Sequence, residues 1–346
     1  MYLYYIVLFV VTGWVYLIGK TLNRKALWTT LAILAILPTI RNFTIGTDTP
    51  VYTASFRINL NPDSFVFNPF VEKGFQLLQY ISLNISSEYS VFFFLSAVLV
   101  LFFNLKAIKE LSENYTLSIF CFICFGFYTF FFSGVRQGIA MAICMYAHTY
   151  IVRDKKLAAS LLIILATFFH VSAFIMFLAL ISRFVKLRVE IKALACFVAS
   201  VVGSRVLIQY MAESNDRYQS YTDTVTNAGG YLTLVLFGAV GFIFYIFGSK
   251  FRKTNSVYKY LEEFYICGLA LLIPIALLGT DPSGPQRVLF YFSWSLVILI
   301  PLLLKRFNNI FIKATFAIVS LAYFYVITVR FYDLYPFVIN PKFVFM

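Results

Sequence analysis

Charge is scarce in this chain: 12% of its 346 residues are Asp, Glu, Lys or Arg, against roughly 25% in an average globular protein. That deficit excludes an ordinary soluble domain. Histidine is rarer still, with only His148 and His170. No HExxH, P-loop, GxGxxG or GxSxG occurs, so zinc, ATP, dinucleotide and serine-hydrolase readings have no basis. The five cysteines (Cys121, Cys124, Cys144, Cys196 and Cys267) all fall inside apolar segments, where cysteine behaves as a small hydrophobe and not as a disulfide framework. The CxxC of Cys121 and Cys124 has neither further ligands nor a thioredoxin-like context, and it reads as core. Internal repeats and low-complexity tracts are missing too.

What is abundant is apolar length. Hydrophobic residues make up 61% of the chain and the mean hydropathy is +0.84. Eleven apolar segments recur, at 2–19, 26–40, 90–105, 115–132, 137–152, 157–181, 193–210, 231–248, 262–279, 288–304 and 310–329. The pattern predicts an all-α, polytopic integral membrane protein of ten or eleven hydrophobic helices, with residues 1–346 as a single multi-pass domain. The net charge of +13 is topological, because Lys and Arg sit in short clusters between apolar segments and no nucleic-acid motif accompanies them.

Met1 to Val10 carries no positive charge, whereas Lys20, Arg24 and Lys25 follow the first segment. This predicts an external N-terminus and a cytoplasmic first loop, and the missing basic n-region argues against a cleavable signal. Strict alternation would then put the loop Arg183 to Lys192, with four basic residues, outside. Parity is restored if 157–181 enters from the cytoplasm and returns as a re-entrant hairpin, which is tolerated only within protein or beside a water-filled cavity. A half-inserted 193–210 segment restores it as well. In the re-entrant arrangement 19 of the 28 Lys and Arg lie inside and both termini lie outside. Two external loops, 41–89 and 211–230, exceed what a connector needs, and the aromatics of the first place it against the bilayer surface.

Lysine supplies 13 of the 19 inner positions and arginine seven of the nine outer ones. The positive-inside rule does not ask for that bias, but recognition of phosphate or carboxylate by a planar donor fork does. Any single arginine reads equally as a snorkelling anchor.

Arg136 lies in Ser133-Gly134-Val135-Arg136-Gln137-Gly138, between two apolar segments and ahead of Ala140 and Ala142, small residues that permit close helix packing. Arg287 ends Asp281-Pro282-Ser283-Gly284-Pro285-Gln286-Arg287, either a tight turn with Asp281 and Arg287 paired or a second anion contact. Asp48 can be a turn or cap residue, or a general base at the water interface. Glu72 can be a solvated interfacial charge or a second catalytic carboxylate. His170 lies fourteen residues beyond Lys156, about 21 Å along a helix, a depth at which an ionisable residue is a functional candidate and otherwise a neutral, backbone-bonded one. His148 reads as structural.

Taken in order over about 250 residues, Arg41…Gly46-x-Asp48…Tyr52, Glu72-x-Gly74-Phe75, Ser133-Gly134-x-Arg136-Gln137, Phe169-His170-x-Ser172 and Arg287-x-x-x-Tyr291-Phe292 resemble the EpsG-like family of polysaccharide biosynthesis proteins, related in role to Wzy-type O-antigen polymerases. The resemblance implies a GT-C-like fold. It also implies a metal-independent, inverting glycosyltransferase without a cofactor, at the outer face of a bacterial inner membrane. The substrate would be a polyprenyl-diphosphate-linked oligosaccharide and the product an O-antigen or exopolysaccharide, with membrane lipids and a chain-length regulator protein as partners. Asp48, Glu72 and His170 are then the catalytic candidates, and Arg41, Tyr52, Arg136, Gln137, Arg287 and Tyr291 the substrate contacts. Asp48 is preferred as the base, because a hydrophilic acceptor approaches from water and GT-C enzymes commonly carry an acidic catalytic residue in the first external loop. The rivals are a lipid-linked-oligosaccharide transporter, for which no inverted repeat is visible, and a membrane acyltransferase with His170 as base, which lacks a paired acidic motif.

Overall fold

The computed structural model describes residues 1–214, 230–277, 285–307, 309–331 and 333–344. Among the described residues there are helices and turns but no strand, and Arg41 and Ile339 form an isolated antiparallel bridge. The stretch 211–230, expected to be an external loop, and the turn around Asp281 fall mostly outside the described residues.

Among the described residues each of the eleven apolar segments is largely helical, yet five of the helices described there are individually long and apolar enough to cross a membrane: Tyr2–Leu22, Tyr89–Leu111, Tyr115–Ser133, Ser256–Leu277 and Ile310–Arg330. A sixth candidate is the pair Gln286–Ser293 and Leu296–Arg306, bent by 47°. Some of the others are short or interrupted, although Val189–Ser214 runs for 26 residues. Leu27–Ile40 has 14 residues, about 21 Å of helix against a hydrocarbon core of about 30 Å. The 157–181 segment is broken into Lys156–Thr167, a 3-10 turn at Val171–Ile175, and Met176–Phe184.

The chain divides into two compact units, Met1–Phe174 with Ile300–Met346, and Ile175–Leu299. In the first, Tyr89–Leu111 packs on Leu27–Ile40, Lys73–Ile85 and Val135–Val152, and Lys156–Thr167 covers another side of Val135–Val152. Val135–Val152 is enclosed along nearly its whole length. Burial separates core from rim: 78% of the apolar window of Tyr115–Ser133 is buried, against 22% for Tyr2–Leu22 and 11% for Ile310–Arg330. The last two helices therefore turn most of their apolar surface outward, as a lipid-facing helix must. In the second unit, Val189–Ser214, Gly230–Phe247 and Leu289–Ser293 pack around Ser256–Leu277.

Charge sorts along the axis of the first unit. The Tyr89–Leu111 helix has 23 residues and so spans about 34 Å. At its C-terminal end the Lys25 ammonium donates to the carbonyls of Lys109 and Ser112, Arg153 pairs with Glu110 at 2.8 Å, and Lys305 pairs with Glu113 at 2.9 Å. At its N-terminal end Glu88 pairs with Lys342 and Tyr89 meets Phe43. The Lys-rich loops of this unit thus share one end, and the stretch after Arg41 belongs to the other.

Candidate active site

Four stretches of the first unit, distant in sequence, meet in one line of polar side chains. Glu72 precedes the Lys73–Ile85 helix, Arg136 is the second residue of Val135–Val152, Asp48 and Tyr52 bracket the short helix Thr49–Tyr52, and His170 sits in the break after Lys156–Thr167. Arg136 Nη1 donates to Glu72 Oε2 at 2.7 Å, with side chains only 9% and 13% exposed. The other Glu72 oxygen lies 3.6 Å from His170 Nδ1, which is itself 3.3 Å from the backbone nitrogen and the hydroxyl of Ser172. On its other side Arg136 bonds the Tyr52 hydroxyl and lies 5.9 and 5.8 Å from the Tyr52 and Phe75 ring centres. The Tyr52 hydroxyl is 3.2 Å from Asp48 Oδ2, to which it donates. The line runs Asp48, Tyr52, Arg136, Glu72, His170, Ser172.

Local sequence explains why these stretches converge. Gly46 has φ +105°, and a Cβ there would sit 2.4 Å from the Phe132 carbonyl oxygen; only glycine lets the loop come this close. Thr49 Oγ1 donates to that same oxygen at 2.9 Å, and the Thr47 amide donates to Ser133 Oγ at 3.3 Å. The loop bearing Asp48 is thereby seated on the residues just ahead of Arg136. Gly74 does the same for His170: its amide donates to the Phe168 carbonyl at 2.8 Å, and a Cβ would lie 2.8 Å from that oxygen. Gln76, almost fully buried, closes the loop before Glu72 by accepting from the Asn68 amide and donating to the Asn68 and Val71 carbonyls. Gln79 donates to the Tyr52 carbonyl at 3.0 Å. Neither glutamine stands out in the sequence by itself. The readable signal is their spacing, since Glu72, Gln76 and Gln79 fall four and three residues apart and so share a helix face.

Burial works to raise the Glu72 carboxyl, but the charges of Arg136 and His170 and the hydrogen bonds it accepts outweigh burial and hold it below the usual value. Glu72 is thus an anion that holds two partners. Burial pushes the Tyr52 phenol up to about 12, which keeps it a neutral donor to Asp48. Arg136 Nε is buried without a protein hydrogen-bond partner.

Three placements depart from expectation. Glu72 is not a solvated interfacial charge but the centre of the cluster. His170 does not lie in the interior of one long helix: the helix ends at Thr167, and the 72–74 loop reaches the break. The contrast between a water-edge Asp48 and a deep His170 therefore disappears, since one chain of contacts joins them. Arg41 presents no open fork. It is 1% exposed, and its guanidinium lies 4.1 and 4.7 Å from the ring centres of Phe93 and Phe132, with Nε and Nη1 buried and lacking a protein partner. Stacked cations of this kind are held by ring quadrupoles. Gln137 is buried next to Arg136. Arg287, partly exposed in the 3-10 turn Pro285–Val288, and Tyr291, fully buried in Leu289–Ser293, belong to the second unit. Among the described residues no group of three or more His, Cys, Asp or Glu side chains is disposed to hold a metal.

Spanning helices around a buried, charged line of side chains define a polytopic membrane protein with a polar site at one end of a helical unit. Comparison with known proteins makes this particular: the chain belongs to the EpsG family, which it matches over residues 25–339, and so falls among the membrane proteins of polysaccharide biosynthesis. Neither a curated protein nor a solved structure matches it significantly.

Proposed function

We propose that the chain is an inverting, metal-independent glycosyltransferase. It would polymerise polyprenyl-diphosphate-linked oligosaccharide repeat units into O-antigen or exopolysaccharide at the outer face of the bacterial inner membrane. The observation that carries this reading is the contact line from Asp48 through Arg136 to His170, because it sets a fixed cation beside two groups able to accept a proton. Glycosyl transfer from a diphosphate needs both: charge neutralisation as the leaving group departs, and a base for the acceptor hydroxyl. In this reading Arg136 neutralises the diphosphate, and Glu72 fixes Arg136 in place. Asp48 takes the proton as the acceptor oxygen attacks the anomeric carbon and the bond to the diphosphate breaks. Tyr52 and Gln137 line the same corner. Arg41 positions the first loop from within its ring stack.

A second reading makes His170 the base. The approach of Glu72 to its Nδ1 at 3.6 Å favours it, since a carboxylate orients an imidazole for proton transfer.

The test is reconstitution of the purified full-length chain with lipid-linked repeat units and a gel readout. A ladder formed without ATP or added metal supports the polymerase, whereas transbilayer movement of the lipid-linked unit without any ladder would make the chain a transporter. The outer-face assignment is tested by labelling introduced cysteines: Leu187→Cys and Ser256→Cys should react from the cytoplasmic side and Leu60→Cys from outside. External reaction at 187 would reject that sidedness.

A further inference from the structure

The second unit holds a cavity of about 580 Å³ that the glycosyl-transfer reading does not use. Arg183, Lys186, Arg188, Lys192, Arg252 and Lys259 line it, with only Glu190 and Glu263 as lining carboxylates. The positive-inside rule explains why such residues lie in the loops 183–192 and 250–259, but it asks for charge near a membrane and not for convergence on one hollow. Here the convergence is built. Lys192 is 8% exposed and donates to Glu263 Oε2 at 2.7 Å and to the Ser182 carbonyl at 2.9 Å. Arg252 grips Glu262 with two nitrogens at 2.6 and 3.0 Å, and Arg188 Nε is 3.3 Å from Glu190 Oε2. The Lys192 pair ties the 183–192 stretch to the Ser256–Leu277 helix, and the other two hold Arg252 and Arg188 in place on either side. Beyond them the wall keeps a cationic surplus, with Lys259 only 4.0 Å from an already occupied Glu263. Arg188 and Val189 also bring to the rim the N-terminus of the 26-residue helix Val189–Ser214, where backbone amides and the helix dipole favour an anion.

We propose that this cavity binds a multiply charged phosphate group, carried either by an anionic lipid headgroup or by a soluble diphosphate. The volume suits more than one phosphate, and cationic pockets between helices recognise such headgroups. The assignment is independent of the transfer reaction, so its test reads binding and not polymer.

Delipidated full-length protein in detergent is titrated with cardiolipin and examined by native mass spectrometry, with inorganic pyrophosphate as competitor. One cardiolipin should be retained per chain. The variant Lys186→Gln/Arg188→Gln/Lys259→Gln should bind about a hundredfold more weakly. Lys20→Gln/Arg24→Gln/Lys106→Gln, which removes as many cations from the basic end of the first unit, should bind as the wild type does. Cardiolipin that resists pyrophosphate identifies a lipid site, and displacement by pyrophosphate identifies a soluble diphosphate ligand. Absence of stoichiometric binding of either probe, or equal weakening in both triple variants, overturns the proposal. Should the first triple variant fail to fold, amine-reactive footprinting of the wild type decides: the bound probe must protect Lys186 and Lys259 more than Lys20 and Lys106, and equal protection refutes the site.

Discussion

Arg136 and Glu72 in the first unit and Lys192 and Glu263 in the second form ion pairs of the same length, 2.7 Å, with side chains equally withdrawn from water, at 9% and 13% against 8% and 12%. Distance and burial do not tell them apart, but their neighbours do. Arg136 and Glu72 continue into Tyr52, Asp48, His170 and Ser172, groups that donate, accept or carry a proton. Lys192 and Glu263 continue into further cations, Lys259 and the wall of the basic cavity. A buried ion pair is weak evidence of anything alone, since desolvation offsets most of its attraction. The first pair holds a charge next to groups suited to chemistry, and the second ties a loop to a helix beside a hollow suited to an anion.

The strongest way to break that contrast is at the proton acceptor. Asp48→Asn, close to isosteric, should lower kcat for elongation by about 10²–10⁴-fold while leaving binding of the lipid-linked donor nearly intact. His170→Gln should reduce turnover without abolishing it. An active Asp48→Asn beside a dead but well-folded His170→Gln would move the base to the histidine. Arg136→Lys keeps the charge but loses the planar fork, and a drop of about a hundredfold in kcat is expected, comparable to removing one preorganised donor. Normal polymer length in that variant, at equal abundance, would end the leaving-group role of Arg136.

The bias of arginine towards outer loops, legible in the sequence, pointed to Arg136 and to the stretch after Arg41. The structure bears out the helical class and shows the Lys-rich loops of the first unit gathered at one end. Two things were not legible. Periodicity carries no information about where a backbone breaks, so the charge pattern could call for a re-entrant turn within 157–181 but could not place it at Phe168 to Ser172. A long-range contact accompanies the break: the Gly74 amide donates to the Phe168 carbonyl. Composition also cannot say which carboxylate a cation chooses. Glu72 stayed open between a solvated charge and a catalytic carboxylate, because nothing within a helical turn of it predicts Arg136, 64 residues away. Arg41 misled in the opposite direction: its partners are the rings of Phe93 and Phe132, and an aromatic-rich sequence gives no hint which rings will stack.

Neutralising one partner of each pair sharpens the comparison. Glu72→Gln and Glu263→Gln each leave a buried cation without its anion and should each cost on the order of 3 kcal/mol of stability. Thermal unfolding in detergent should therefore shift similarly for both. Turnover per folded molecule should fall only for Glu72→Gln, because Arg136 and His170 lose their anchor. Equal catalytic losses would mean that the two pairs do the same job and that the first unit holds no privileged site.

The smallest expected effect is a proton linkage confined to one pair. Glu72 is held below its ordinary value of 4.5 in the folded state, so the stability it contributes is fully present above that pH. It is lost as pH falls through the lower, folded value, because only then does the folded protein take up the proton that the unfolded chain already carries. The difference in melting temperature between wild type and Glu72→Gln should accordingly shrink as the pH falls below about 4.5. Subtracting the variant removes the titration of every other carboxylate, provided those sites do not interact with Glu72. A gap that persists undiminished into strong acid would show that Arg136 and Glu72 make no proton-linked contribution, and the distinction between this pair and the one at Glu263 would then rest on neighbours alone.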